Sequence, residues 1–410
     1  MFKKNELKLL FPFYLHALVF SLSKVIMPFY VLYFLGLGLS FFQIAMLGSI
    51  RSIVSLIFEV PTGVIADMYG RKASVILGYF ATAVTIFLIS TQNSFYAIAL
   101  ILALDALFET LISGADNAWA VDLLDEQDKS LIDVYFLKMR FFKNIGYLFA
   151  PILAGFIVAK YDMRYLWIVF SIGIFVSSSF LFWAKEGKLK KPGDEDGEEE
   201  TLGYFINHLR KSLSFIANHK IISLLFLGIF IFYFVDEISS LAWTPLLESS
   251  GIALPTIGYA FSLIAGVGIF TPLIAERILK FRNKLSLIII TLLVYTLLLL
   301  LVGLTSKALF LLIIFTLFTG LEDIFLPLEG ALTNFYIHNQ NRATILSIKS
   351  MIESLASIVG GPFAGLVLSS IPKKEALVFS GLLLLFLPVL YIIIKNREQA
   401  NAYSPVRAKT

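Results

Sequence analysis

Lys24, Asp105, Asp236, Glu237, Glu322 and Asp323 each sit about midway along an apolar run long enough to cross a bilayer. Arg51 and Glu353 lie at similar depth in two further runs. A charge at the bilayer centre costs about 2.5–3.5 kcal/mol on insertion scales, so such groups face a water-filled cavity or one another. Their types define the available chemistry. A carboxylate stripped of water favours its protonated form, and can carry a proton or hold an organic cation. A lone ammonium can hold a carboxylate, or Lys24 can neutralise Asp105 as a structural pair. Glu109 and Asp116 follow Asp105 by about one and three helical turns and extend the acidic line. Neighbours such as Asp236 and Glu237, or Glu322 and Asp323, point about 100° apart on a helix. Only one member of each pair can then face a cavity.

Covalent and metal chemistry find no support. The chain has no cysteine, which excludes disulfides, thiol catalysis and cysteine-ligated metals. His16, His208, His219 and His338 lie far apart, and no H-E-x-x-H, G-x-S-x-G or G-x4-G-K-[ST] pattern occurs. No enzymatic activity, cofactor or ATP-driven step is expected, and the bases, set in loops between apolar runs, do not point to nucleic acid.

The elements that must position these charges are membrane helices. Hydrophobic residues make up 58% of the 410 positions, mean hydropathy is +0.84, and 15% of residues are charged. A soluble chain would carry about 25% charge. A span needs about 20 mostly apolar residues, which predicts twelve, near 8–36, 42–66, 73–91, 94–122, 139–160, 163–184, 221–247, 255–279, 284–304, 308–335, 342–369 and 374–395. Setting aside Lys24 and Arg51 within the spans, only Lys160, Arg164, Lys307, Lys373 and Lys374 of the lysines and arginines fall on one face. The others crowd the opposite face, which the positive-inside rule makes cytoplasmic, together with both termini. The expected location is the inner (plasma) membrane, as a multi-pass monomer in contact with lipid.

Between the sixth and seventh spans the composition changes abruptly. A basic stretch, 185–191, precedes an acidic one, 194–200, and glycines and Pro192 interrupt any helix. This reads as a tether, followed by an amphipathic helix over 202–216 on the inner surface. The domain plan is thus a six-helix bundle over 1–184, a linker over 185–220, a second bundle over 221–395 and a tail over 396–410. The halves also repeat. Ala66-Asp67 has a counterpart in Ala275-Glu276, and Ala150-Pro151 through Gly155 has one in Gly361-Pro362 through Gly365. Both landmarks recur after roughly 210 residues, as a parallel duplication of a six-span unit would produce.

The stretch Gly63 to Lys72, G-x-x-A-D-x-x-G-R-K, closely resembles the loop between helices 2 and 3 of major facilitator superfamily transporters. Ser113 to Asp122 resembles the end of the fourth span in several efflux-type families of that superfamily. Gly146, Pro151 and Gly155 loosely resemble a helix-5 motif of its antiporters, although close helix packing explains them equally well. The resemblance implies an all-α membrane fold of twelve helices in two pseudo-symmetric bundles. It further implies a cavity lined by spans 1, 4, 7 and 10, which carry Lys24, Asp105, Glu109, Asp236, Glu237, Glu322 and Asp323. It also implies a cytoplasmic charge network of Asp67, Arg71 and Asp122 favouring the outward-facing state, with Asp67 at the start of span 11 near Arg342. One departure stands out: Asp105 to Gly114 lacks the arginine that drug/proton antiporters of the family carry in helix 4.

Arg51 and Glu353 are expected to pair across the two halves, with Glu59 and Lys349 as a second rung. Tyr30, Tyr33, Trp119, Tyr233, Trp243 and Tyr259 are candidates for an aromatic wall, or simply for core and interface. The leading expectation is alternating access, with proton-coupled efflux of an organic cation or drug-like amphiphile. The alternative is import or exchange of a polar metabolite, with Lys24 engaging its carboxylate.

Overall fold

Pro28 breaks the first membrane helix. Lacking an N–H, and with its ring set against the carbonyl four residues earlier, proline ends a helix at about that carbonyl. Helix α1 (Glu6–Ser23) accordingly stops at Lys24, a 3-10 turn covers Met27–Phe29, and α2 (Tyr30–Gly36) resumes the span. In this computed structural model, residues 2, 5–186, 214, 216, 219–268, 283–337 and 342–402 are described.

The remaining helices are α3 (Phe41–Tyr69), α4 (Arg71–Ile89), α5 (Phe95–Thr110), α6 (Ala115–Gln127), α7 (Ile132–Lys160), α8 (Arg164–Leu181) and α9 (Lys220–Ser249). They continue as α10 (Leu254–Gly268), α11 (Lys284–Val302), α12 (Ala308–Tyr336), α13 (Arg342–Ser370), α14 (Lys373–Leu384) and α15 (Phe386–Ala402). Among the described residues there is no strand, and 11 helical stretches are long and apolar enough to cross a membrane. Helix α10 is a further, shorter apolar helix. The continuation of its span to 279, with Ala275-Glu276, lies outside the described residues. So does most of the expected tether and amphipathic helix between 187 and 213.

The chain forms two compact units, 1–195 with 251–266, and 196–250 with 267–410. The helix pairings inside the first recur inside the second. In the first unit α1 packs on α7 and α8, while α4 packs on α5 and α8. In the second, α9 packs on α13 and α14, and α11 packs on α12 and α14. First span on fifth and sixth, third span on fourth and sixth: the duplication read from Pro151 and Pro362 is a duplication of packing. Both fifth-position helices approach through a glycine. A side chain at Gly146 would meet Ser21 and the Leu22 nitrogen, the latter at 2.6 Å, and one at Gly360 would lie 2.8 Å from the Phe234 carbonyl oxygen. Close helix packing accounts for both glycines.

Candidate functional site

The break at Pro28 places Lys24 on a cavity of about 420 Å³ in the first unit, together with Tyr30, Arg51, Asp105, Glu109 and Trp167. Much of the remaining wall is apolar, including Phe20, Ile86, Leu102 and Phe170. A second cavity of about 350 Å³ shares Phe20, Lys24, Thr82 and Glu109 with the first and extends to Asp116 and Lys143. Thr82 Oγ1 and Trp167 Nε1 line the larger cavity and are buried without hydrogen-bond partners among the described residues.

Arg51 organises this site. Asp105 and Glu109, four residues apart on α5, face the same way, and the guanidinium fork of Arg51 on α3 reaches both. Nη1 donates to Asp105 Oδ2, and Nη2 donates to Glu109 Oε2 at 2.7 Å. Thr85 on α4 adds a hydroxyl donated to Asp105 Oδ1 at 2.9 Å. Asp105 is 2% exposed and Glu109 57%. One base between two acids leaves the cluster one proton short of neutrality. Protonating either acid removes one arm of the fork and loosens the link between the second and fourth spans.

This differs from the expected pairings for a geometric reason. Asp105 is taken by Arg51 and Thr85, not by Lys24, whose ammonium lies over the rings of Phe20 and Tyr147 at 4.9 and 5.8 Å. The guanidinium missing from the fourth span is supplied by the second. Within its own unit Arg51 bonds Asp105 and Glu109, and Glu353 lies 3.5 Å from Lys349. Lys349 pairs with Glu329 in its own unit, and Glu59 lines the smaller cavity.

The charges of the Gly63–Lys72 motif come together with Asp122. Arg71 Nε donates to Asp67 Oδ1 at 3.0 Å, and Nη1 donates to Asp122 Oδ2 at 2.5 Å. The whole reversal between α3 and α4 is Gly70, at φ 104°, a conformation that L side chains rarely adopt. The motif also reaches α8. Lys72 Nζ donates to the carbonyls of Phe182 (3.1 Å) and Ala184 (2.7 Å), satisfying acceptors left open at that helix end. Trp119 Nε1 donates to the Lys185 carbonyl at 2.9 Å, so this tryptophan is a core anchor and not a cavity wall. Trp243 likewise packs on Phe315 and Phe318, while Tyr30 does line the cavity.

In the second unit Asp236 Oδ1 accepts a hydrogen bond from the Tyr295 hydroxyl at 3.0 Å. Asp236 and Asp323 are acidic neighbours of Glu322, and Ser357 is a polar neighbour of Glu237. Two glutamates play parts the apolar pattern did not signal. Glu6, ahead of the expected first span, is fully buried and accepts from Lys138 Nζ at 2.6 Å and from Tyr14 at 3.1 Å. Glu329, in the C-terminal third of α12, is also fully buried and accepts from Lys349 Nζ at 2.6 Å. A carboxylate inside an apolar run was the only available signal for Glu329. Among the described residues no group of acids and histidines is arranged to hold a metal ion.

Two units that repeat one set of helix pairings, with a broken first span and a charge-bridged cavity, define a membrane transporter of the duplicated-bundle class. A family model described as Major Facilitator Superfamily matches residues 13–321 and 225–409, and the chain belongs to that superfamily. It is 25% identical over 382 residues to the uncharacterized MFS-type transporter YxaM of Bacillus subtilis (strain 168), covering 90% of this chain and 91% of that one. It is 26% identical over 220 residues to an uncharacterized transporter of Buchnera aphidicola subsp. Schizaphis graminum (strain Sg), covering 52% and 51%. Among solved structures, the nucleoside transporter NupG superposes with a TM-score of 0.77 at 14% identity, covering 93% of this chain and 98% of that one. A bacterial homologue of the human lysosomal transporter Spinster, inward-facing and unoccupied, gives 0.74 at 14% identity, covering 96% and 97%. At these identities the two structures speak for the fold alone. The chain is a multi-pass membrane transporter and not an enzyme.

Proposed function

We propose that this protein is a secondary active transporter working by alternating access, coupling proton movement to efflux of an organic cation or drug-like amphiphile. The observation that carries the reading is Arg51 shared between Asp105 and Glu109 on an aromatic-walled cavity. A proton taken up there releases the link between two spans, which ties protonation to helix movement. The apolar and aromatic wall suits an amphiphile, and Glu109, the more exposed acid, suits its cationic group. In the second unit we assign Asp236 and Glu322 to substrate binding. Asp67, Arg71 and Asp122 act as the cytoplasmic latch, and Arg51 and Glu353 change partners during the cycle. We place the protein as a monomer in the inner membrane, with both termini cytoplasmic.

A second reading rests on Lys24. Its ammonium stands on the cavity over two aromatic rings, with no carboxylate bonded to it among the described residues. Import or exchange of a polar metabolite bearing a carboxylate would use that charge.

Transport of a panel of organic cations and organic acids into proteoliposomes, under proton gradients of either sign and with an entrapped pH dye, separates the two. Cation-dependent proton flux that persists in Lys24→Met supports the first reading. Acid-dependent flux abolished by Lys24→Met supports the second. No proton flux with any transported compound would contradict proton coupling.

A further inference from the structure

Among the described residues lining the larger cavity of the first unit, the bases are Lys24 and Arg51. Both ends of the Arg51 fork are occupied, one by Asp105 and one by Glu109. Lys24 is bonded to no carboxylate among the described residues. Its ammonium lies 4.9 Å from the centre of the Phe20 ring and 5.8 Å from that of Tyr147. Ring faces attract an ammonium and fix its place, but they carry no net charge and do not neutralise it. A mid-span charge without a counter-ion is costly. A ligand carboxylate would supply the counter-ion that the described residues do not.

An acid on the same wall has capacity to spare. Glu109 is 57% exposed, and Arg51 takes its Oε2 at 2.7 Å. An ionised carboxylate offers about four acceptor positions on its two oxygens, so a second cation can bind beside the guanidinium. Lys24 and Glu109 both line the larger cavity and the smaller one, yet they form no ion pair with each other. Where the two cavities share their wall, an ammonium and a carboxylate therefore stand apart, each able to take an opposite charge.

The remaining wall says what lies between those charges. Phe20, Tyr30, Trp167 and Phe170 present ring surface, which suits an aromatic or apolar body. Among the described residues the wall holds two bases, Lys24 and Arg51, and two acids, Asp105 and Glu109. A molecule with one charge of each sign leaves that balance as it is. A lone cation or a lone anion adds a net charge to a largely apolar surrounding, which is unfavourable.

We propose that this cavity binds a zwitterion with an aromatic or apolar body, its carboxylate on Lys24 and its ammonium on Glu109. This class rests on the assignment of that cavity to substrate. It joins the cation of the first reading and the carboxylate of the second in one molecule.

Three probes share one ring system and differ in charge. Free tryptophan carries both charges, tryptamine the ammonium alone and indole-3-propionate the carboxylate alone. Their binding isotherms are measured at neutral pH on the full chain in lipid nanodiscs, with no gradient imposed. Wild type should bind tryptophan about tenfold or more tighter than either of the others, the worth of one charge-assisted contact. Lys24→Met should bring tryptophan down to the affinity of tryptamine, and Glu109→Gln should bring it down to that of indole-3-propionate. Should one variant fail to fold, the other decides. Wild type binding tryptamine or indole-3-propionate as tightly as tryptophan, or binding none of the three saturably, overturns the zwitterion. So does a preference for tryptophan over tryptamine that survives Lys24→Met. No proton gradient enters these isotherms, so the two proposals fail separately. Absence of proton flux with every transported compound removes the coupling and leaves the zwitterion site standing. Equal binding of tryptamine and tryptophan removes the zwitterion and leaves efflux of a cation standing.

Discussion

Arg51 of the second span holds Asp105 of the fourth, and no other base is bonded to that carboxylate among the described residues. Asp105 is almost wholly buried, while the Arg51 side chain is 30% exposed towards the cavity. The pair therefore joins a group that cannot be left charged alone to one that can reach water.

Removing one partner should accordingly be worse than removing both. Breaking a buried pair costs about 3–5 kcal/mol at most, since a charge is stranded, while replacing both members by apolar residues is often neutral. Thermal unfolding in detergent of Arg51→Leu, Asp105→Leu and the double variant checks this. We expect Asp105 kept without Arg51 to give the lowest Tm, with the double variant recovering part of the loss. A double variant destabilised by the sum of the two singles would show that the residues act independently.

The network of Asp67, Arg71 and Asp122 makes a charge-reversal prediction. Arg71 bonds Asp122 across the helix interface and Asp67 along the chain. Arg71→Asp and Asp122→Arg should each lose most transport activity, and the double reversal should regain a part of it. Activity of the double variant no higher than the worse single would count against this pairing as a functional element.

In the second unit the two acidic pairs should split unequally. Asp236 accepts from Tyr295 and has Glu322 as an acidic neighbour, whereas Glu237 has Ser357 as a polar neighbour. Asp236→Asn and Glu322→Gln should weaken substrate binding several-fold more than Glu237→Gln and Asp323→Asn do. Equal and small effects of all four on the binding isotherm would remove these residues from the substrate site.

Packing gives a prediction independent of substrate. A side chain at Gly146 would sit 2.6 Å from the Leu22 nitrogen, whereas one at Gly63 would meet nothing within 4 Å. Overpacking costs about 1–3 kcal/mol, so Gly146→Val should lower the Tm by several degrees and Gly63→Ala should leave it nearly unchanged. Matching Tm values for the two variants would mean that α1 and α7 are not held as closely as the glycine implies.

These relationships were legible in the sequence to different degrees, for physical reasons. Apolar runs report directly on the bilayer, so the helices and the repeat around Pro151 and Pro362 could be read. The expected count of twelve spans stands against 11 long apolar helices and one shorter one among the described residues. The Arg71–Asp122 contact was implied by the resemblance of Gly63–Lys72 and Ser113–Asp122 to the superfamily's motifs. The partner of Asp105 was not, because depth along a span says nothing of azimuth. Lys24 and Arg51 are both mid-span, and only the packed bundle shows that Arg51 turns towards the fourth span while Pro28 leaves Lys24 on aromatic rings. Glu6 and Glu329 escaped notice because each lies near the end of an apolar run, where a charge normally meets water. Their burial is a product of packing, with Lys138 and Lys349 arriving from distant parts of the chain.

The most direct test of proton coupling through the Arg51 cluster is substrate-driven proton flux in proteoliposomes, read from an entrapped pH dye for wild type and Asp105→Asn. With a compound that the panel shows to be transported, wild type should move protons against the substrate gradient. Asp105→Asn should lose that flux while still exchanging labelled for unlabelled substrate, since exchange needs no net protonation change. Proton flux in Asp105→Asn equal to that of wild type would contradict the account.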